Sequence, residues 1–445
     1  MLVKYARKIT KLRNGEQCNY PKKRILATNE ALVYFIYNIA ISTTWYLLRI
    51  PAFFNAKLRL FIKGRHGVFS YLDKHITQQD KIIWIHAASL GEFEQGLPVI
   101  QKLRSAYPGH KILVTFFSPS GYEVKKNSEE AHLITYLPMD ISHKVDRFLE
   151  KVRPVLAIFV KYEVWPNYLR SLQKMKVPVL MISGRFNSGQ VFFKWYGSFM
   201  RNALGKFTHL FVQDSSSFEL LQKSGFSNTT LSGDTRFDRV SEILERNNSL
   251  NFMERFKGTS LCLVLGSSWP EDEALLGHYL QQRPTSLKVV IAPHDMKEGH
   301  LQKLRESIPS KVIFYSDIED EDLSEYQVLI LDTIGLLTKV YSYADIAYVG
   351  GGFATGLHNT LEPAVFGIPV VVGPQYDGFN EARDLVSLGG ISVVDSAESF
   401  TQTIDQLVKH TSNREKMGKI NAKYVEDQKG ASIKIVRFIQ EHLSL

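Results

Sequence analysis

Short β-rich runs that alternate with helical patterns leave this chain few architectures. The first series covers residues 81–88, 111–117, 133–139, 156–162, 178–184 and 209–214. The second covers 261–268, 287–294, 312–317, 328–333, 346–352, 369–373 and 391–395. Strands separated by helices predict βαβ units, and hence parallel sheets covered by helices on both faces. A chain of 445 residues with 44% hydrophobic content is long enough for two such domains, each with its own core. The predicted fold class is therefore α/β, with two doubly wound Rossmann-like domains facing a cleft. Their boundary falls in the charged connector "LSGDTRFDRVSEILERNNSLN", giving domains at 67–240 and 241–445. The closing segment, 413–445, reads as one or two helices that pack back on the first domain.

The formal charge of +9 raises the question of nucleic acid, and its distribution answers it. Residues 1–73 hold 13 Lys or Arg against 3 Asp or Glu, whereas the rest of the chain is close to balanced. Within that basic terminus lies "ALVYFIYNIAISTTWYLL", uncharged and flanked by Lys22, Lys23 and Arg24 before it and Arg49, Lys57, Arg59, Lys63 and Arg65 after it. Its length sits at the lower edge of what spans a bilayer. Basic flanks on both sides favour an anionic cytoplasmic membrane surface, so residues 29–66 are expected to form a basic, apolar, membrane-associated helical segment. A buried helix of the first domain is the other reading that stays open. A cleaved signal peptide fits poorly, because the apolar run starts late and is long. Residues 1–28 show no periodicity and are expected to be a disordered tail. Cys18 and Cys262 lack metal-ligand spacing, and both are expected to be reduced.

Chemistry concentrates at predicted strand ends. In "KIIWIHAASLGEFEQGLPVI" an apolar strand gives way to His86, Ser89, Gly91 and Glu92 at a strand–turn–helix junction. Open α/β sheets usually place their ligands at such junctions. Glu163, in "FVKYEVWPNYL", is a second carboxylate of this kind, although helix-capping chemistry explains it equally well. Two carboxylates above one sheet could divide the work of deprotonating and positioning an acceptor hydroxyl. Arg236 lies in the connector. In the second half, "VGGGFATGLHNTLEPAVFGIPVVVGP" carries three glycines, then His358, Asn359 and Glu362 at a helix start. The glycines allow close approach of a ligand, and the Glu362 carboxylate suits paired ribose hydroxyls. The alternative is that Glu362 only complements the helix dipole. Gly266, Ser267 and Ser268 form a candidate phosphate cradle, His294 ends another strand, and Asp332, Thr333 and Gly335 end a third.

The motifs "HAASLGE", "YEVWPN", "SGRF", "GDTRFD", "DTIG" and the glycine-rich stretch, in this order, resemble those of the Kdo transferases, which attach 3-deoxy-D-manno-octulosonic acid (Kdo) to lipid A. The resemblance runs from about Ala31 to the C-terminus. It implies a GT-B inverting glycosyltransferase of lipopolysaccharide synthesis, acting at the cytoplasmic face of the inner membrane. The donor would be CMP-Kdo and the acceptor a lipid A precursor of the lipid IVA type, with no cofactor, no metal ligands and no nucleic acid partner. Glu92 matches the family's proton acceptor, and Glu163 and Arg236 match positions assigned to transition-state stabilisation. Contacts to CMP fall on Pro293 and His294, on Ile334, Gly335 and Leu336, and on Asn359, Thr360, Leu361 and Glu362. Three positions depart from the pattern: Pro293 stands where Arg is usual, Leu336 where an acidic residue is usual, and Arg236 where Lys is common. Two rivals use the same fold class, an epimerase acting on a soluble nucleotide sugar and a non-catalytic, membrane-bound nucleotide-sugar-binding protein.

Overall fold

The computed structural model describes residues 20–282, 287–353 and 356–445. They form two compact units, one comprising the chain up to Ser232 together with Ile433–Leu445, the other Gly233–Ser432. The division falls ahead of the helix Thr235–Leu244, inside which the sequence places it. That helix buries Phe237, Val240 and Ile243 in the core of the second unit, which is what assigns it there.

The first unit is built on seven parallel strands: β1 (Ile82–Ala87), β2 (Lys111–Phe116), β3 (Leu133–Tyr136), β4 (Pro154–Val160), β5 (Val179–Gly184), β6 (His209–Val212) and β7 (Thr229–Leu231). They lie side by side in the order β3-β2-β1-β4-β5-β6-β7. All six residues of β1 are buried, and alternate ones serve opposite faces. Ile82 and Trp84 pack with Phe148 and Tyr168 on one side, while Ile83 and Ile85 pack with Phe93, Leu97, Ile435 and Ile439 on the other. Each such side chain contributes about 1.5–3 kcal/mol by leaving water. The last helix, Ala431–His442, thus returns Ile435 and Ile439 to the first sheet, and Phe438 lies against His209 with ring centroids 4.3 Å apart.

The second unit repeats the plan with β8 (Cys262–Ser268), β9 (Lys288–Pro293), β10 (Val312–Phe314), β11 (Val328–Ile330), β12 (Ile346–Val349), β13 (Val370–Val372) and β14 (Ile391–Val393). Their spatial order is β10-β11-β9-β8-β12-β13-β14, again all parallel. In each sheet the chain first builds on one side of its first strand, then returns to the middle and builds on the other; in the second sheet β10 takes the edge and β11 fills in beside β9. The reversal falls between β1 and β4 in the first sheet and between β8 and β12 in the second. At such a reversal the flanking loops diverge and leave a crevice at the carboxyl ends of the strands.

Ahead of the first sheet runs the helix Tyr20–Leu47. Residues 1–19, most of the expected tail, lie outside the described residues, while 20–28 are helical and continue into the apolar run. One face of this helix is tied to the globular part of the unit. Tyr37 Oη donates to Asp140 at 2.8 Å, Asn38 pairs with Asn167, and the N–H of Ser142 donates to Asn38 Oδ1 at 2.9 Å. Tyr34 and Trp45 are buried. The remaining faces present Leu32, Phe35, Ile36 and Ile39 to the outside, followed by Phe53 and Phe54. Residues Glu30–Phe53 are apolar and long enough to cross a membrane, yet a single helix of this kind near a terminus is weak evidence that it does so.

Candidate active site

Glu92 occupies the first turn of the helix Leu90–Ala106, directly after β1. Ser89 is its N-cap, and the two form a capping box. The box explains why a carboxylate stands here: Glu92 Oε2 accepts the N–H of Ser89 at 2.8 Å, satisfying a donor that the helix itself cannot. Oε1 accepts no hydrogen bond among the described residues, so the carboxylate is anchored through one oxygen and presents the other. Glu163 follows β4, just past Lys161, whose φ of 62° is uncommon for a residue with a side chain. Trp165 Nε1 donates to Glu163 Oε2 at 3.0 Å, and Pro166 begins the next helix at a position where a missing N–H costs nothing. β1 and β4 are neighbours, with His86 opposite Phe159. Glu92 and Glu163 therefore flank the crevice of the first sheet.

The second unit assembles most of the other predicted residues at the equivalent place. Its centre is Asp272, fully buried in the first turn of the helix Pro270–Gln282. Oδ2 accepts the N–H of Trp269 at 2.9 Å and that of Gly351 at 3.0 Å, and Oδ1 accepts the Tyr348 hydroxyl at 2.6 Å. One carboxylate thereby fastens the loop after β8 to the glycine loop after β12. The glycines are required: Gly351 has φ of 92°, and a Cβ on Gly350 would lie 2.4 Å from Ser267 O. Around this knot stand Trp269, His294 and His358, with centroids of the first pair 4.6 Å apart and of the second 4.8 Å. Trp269 Nε1 donates to His358 Nε2 at 3.1 Å, which requires that nitrogen to be unprotonated. Burial, and then the neighbouring His294, hold the His358 pKa below its ordinary value, in keeping with that.

Gly266, Ser267 and Ser268 do not form the phosphate cradle that the sequence suggests. The Ser268 hydroxyl donates to Glu273 at 2.9 Å, and Glu271, Asp272 and Glu273 crowd the helix start behind it. Burial also pushes the Glu273 carboxyl up, although Ser268 and His300 bonded to it pull the other way.

The remaining candidates form a second cluster. Glu362 Oε1 accepts from Asn359 Nδ2 at 3.0 Å, and Oε2 accepts the Thr338 hydroxyl at 3.3 Å, which links the 359–362 segment to the turn of Ile334, Gly335 and Leu336. Ile334 is 88% exposed, Gly335 has φ of 97°, and Leu336 packs on the core. Thr360 and Leu361 are buried, and the Leu361 N–H is already donated to Asn359 Oδ1. The helix that follows, Leu361–Val365, is a single short turn, so its dipole offers a ligand little. Pro293 is buried at the end of β9, and His294 beyond it is exposed.

Arg236 belongs to the second unit. Its Nε donates to Asp234 Oδ2 at 2.8 Å, and its two terminal nitrogens grip Glu381 at 2.8 and 3.2 Å. Burial works to lower the guanidinium pKa, and the two carboxylates more than reverse it, so the pKa is held above its ordinary value. Asp272 and Glu381 escaped the sequence reading as functional residues, and His86 was noted at its junction without a role. Only the three successive acids of "PEDE" hinted that one might turn inward.

A family model described as 3-Deoxy-D-manno-octulosonic-acid transferase (kdotransferase) matches residues 62–239. A 3-deoxy-D-manno-octulosonic acid transferase of Haemophilus influenzae is 27% identical, covering 81% of this chain and 87% of the relative. One from Aquifex aeolicus is also 27% identical, over 77% of this chain and 92% of its own length. Among solved structures, UDP-GlcNAc 2-epimerase from Neisseria meningitidis, bound to UDP-GlcNAc, superposes with a TM-score of 0.60 at 16% identity, covering 81% of this chain and all of that one. Such a likeness speaks to the fold alone.

Proposed function

The chain belongs to the 3-deoxy-D-manno-octulosonic acid transferase family and has the GT-B fold, and from that premise we propose that it transfers Kdo from CMP-Kdo to a sugar hydroxyl of a lipid A precursor of the lipid IVA type, with inversion. The observation that carries the reading is the state of Glu92. A general base needs a carboxylate oxygen that is both oriented and unoccupied, and the Ser89 N–H orients one oxygen while the other has no partner among the described residues. In the reaction, Glu92 takes the proton of the acceptor hydroxyl as that oxygen bonds to the anomeric carbon. The bond from that carbon to the phosphate oxygen breaks on the opposite face, and CMP departs with its electron pair. Glu163, fixed through Oε2 by Trp165, turns its other oxygen toward the acceptor. In the second unit, His294, Asn359 and Glu362 are the exposed or half-buried groups available to the nucleotide, and the two guanidinium N–H bonds of Arg236 left over from its carboxylates are available to the phosphate. A monophosphate leaving group carries less charge to neutralise than a diphosphate, so the transfer should proceed in EDTA.

The N-terminal helix supports attachment to an anionic membrane at the cytoplasmic face of the inner membrane. A helix tied along one face by Tyr37, Asn38 and their partners, with Leu32, Phe35, Ile36 and Ile39 outward, suits lying in the interface. The test of the whole reading is mass spectrometry of a lipid A precursor incubated with purified protein and CMP-Kdo. The expected product is heavier by Kdo, with CMP released, and Glu92→Gln forms it at least a hundredfold more slowly. An unchanged precursor with wild-type protein, or a UDP-sugar epimerised in its place, would overturn it.

A further inference from the structure

His86 is fully buried in β1, and its Nε2 has no hydrogen-bond partner among the described residues. A buried polar atom left without a partner is costly, and here it sits in the strand that leads to Glu92. The nearest charged group is Glu163, whose Oε2 is 3.6 Å from Nε2. The other ring nitrogen, Nδ1, lies 2.9 Å from Thr115 Oγ1 and 3.0 Å from Thr115 O.

Three neighbours act on where the ring proton sits: the Thr115 hydroxyl, the Thr115 carbonyl and the Glu163 carboxylate. Trp84 Nε1 can only donate, and it donates to Thr115 Oγ1 at 2.8 Å. The hydroxyl of Thr115 can then donate to His86 Nδ1, whereas Thr115 O can only accept and draws a proton to that nitrogen; the Glu163 carboxylate beside Nε2 draws the proton to the other side of the ring. In the opposite tautomer Nε2 would turn a lone pair toward a carboxylate, which is repulsive. Phe159 and Trp165 wall the ring, with centroids 5.7 and 6.3 Å from it, so water has little access.

We propose that His86 is a positioning residue for Glu163: its Nε2–H closes from 3.6 Å to a hydrogen bond with Oε2 when the acceptor binds, and together with Trp165 Nε1 it locks that oxygen so that Oε1 alone meets the substrate. Contacts at catalytic groups are often long before substrate arrives and tighten in the complex. The proposal rests on the role given to Glu163 in the transfer reaction.

The test combines kinetics with spectroscopy on the full chain. His86→Leu should lower kcat about a hundredfold, the size expected when a reacting group is misplaced by roughly 1 Å. The KM for CMP-Kdo should not change. His86→Gln, whose amide N–H can replace Nε2–H, should recover most of that loss. In a Glu163→Gln background His86→Leu should cause no further loss, because the histidine then has no carboxylate to orient. Wild-type turnover in His86→Leu, multiplicative losses in the double variant, or a Gln substitution no better than Leu would each overturn the proposal. If Glu163→Gln keeps the wild-type rate, the role given to Glu163 fails by itself. The 15N-histidine spectrum then decides the contact, the His86 signal being the one that disappears in His86→Gln. Protonation at Nε2 and a shift of that nitrogen on Glu163→Gln are expected, and an unmoved signal would overturn the proposal.

Discussion

Replacing Glu92 in two ways separates its place in the capping box from the base role proposed for it. In Glu92→Gln the amide oxygen can still accept the Ser89 N–H, so the capping box survives while the base is lost. In Glu92→Ala both go. Loss of a general base costs about 10²–10⁴ in rate, or about 2.7–5.4 kcal/mol of barrier. Loss of a capping interaction costs about 1 kcal/mol, and a carboxylate in the first helical turn adds a few tenths through the dipole. For a unit of this size 1 kcal/mol corresponds to a fall in Tm of about 2–4 °C. The expected pattern is an equal loss of turnover in both variants, measured by CMP release with CMP-Kdo and acceptor. Only the alanine variant should show a clear drop in Tm, read by calorimetry. A Gln variant that turns over at the wild-type rate would refute the base assignment and leave Glu92 as a cap. A Gln variant that melts as early as the alanine one would refute the geometry of the box.

Asp140, which holds Tyr37 and the N–H groups of Asn167 and Tyr168, is pushed by burial to a pKa of about 6, against 3.8 when unfolded. Between these values the folded state binds the extra proton, so the contribution of Asp140 to stability falls as pH rises through that window, by about 3 kcal/mol. Urea midpoints across that range should therefore show a decline that is missing in Asp140→Asn, and parallel curves would contradict this. Asp272→Asn cannot accept from Trp269, Gly351 and Tyr348 together, and each donor left unsatisfied costs about 1–3 kcal/mol. CMP affinity by titration calorimetry should fall at least tenfold, whereas an unchanged affinity would show that the knot does not shape the nucleotide site. Combined Phe35→Ser, Ile36→Ser and Ile39→Ser should abolish co-flotation with anionic vesicles, because each large apolar side chain is worth about 1.5–3 kcal/mol in transfer. Retained flotation would move the membrane contact elsewhere.

The fold was legible because strands buried on both faces are written as apolar runs between turn residues, and thirteen of them stand out in that way. β7 did not, for a physical reason: it is three residues long, at the sheet edge, and its sequence Thr229, Thr230, Leu231 sits among polar neighbours. An edge strand with one residue buried leaves almost no hydrophobic signal. The helix of 20–28 was missed similarly, since a basic segment continuous with an apolar one shows no period of its own. In the site, sequence located the strand ends but not the partners of the side chains. Asp272 illustrates the limit. Of three successive acids only the middle one is fully buried, and what turns it inward is Gly351 and Tyr348, which are far away in the chain.

The same limit applies to the donor site proposed for the second unit. Sequence offers Arg236 as a cation, but in the structure its charge is opposed by Asp234 and Glu381, so the trio is net negative and what the guanidinium could offer a ligand is the direction of its remaining N–H bonds. Asp272, Glu273 and Glu362 add further acids at the same strand ends. The family position that usually carries Arg is Pro293, which supplies neither a charge nor a backbone N–H. If the second unit binds CMP-Kdo as proposed, these acids oppose long-range attraction of its phosphate. On that proposal the phosphate would depend on oriented short-range donors, chiefly Arg236, His294 and Asn359, in surroundings where a prearranged donor counts for more than in water. Such a site is expected to give up affinity steeply when one donor is displaced and, because its carboxylates outnumber its cations, not to lose affinity as salt is raised.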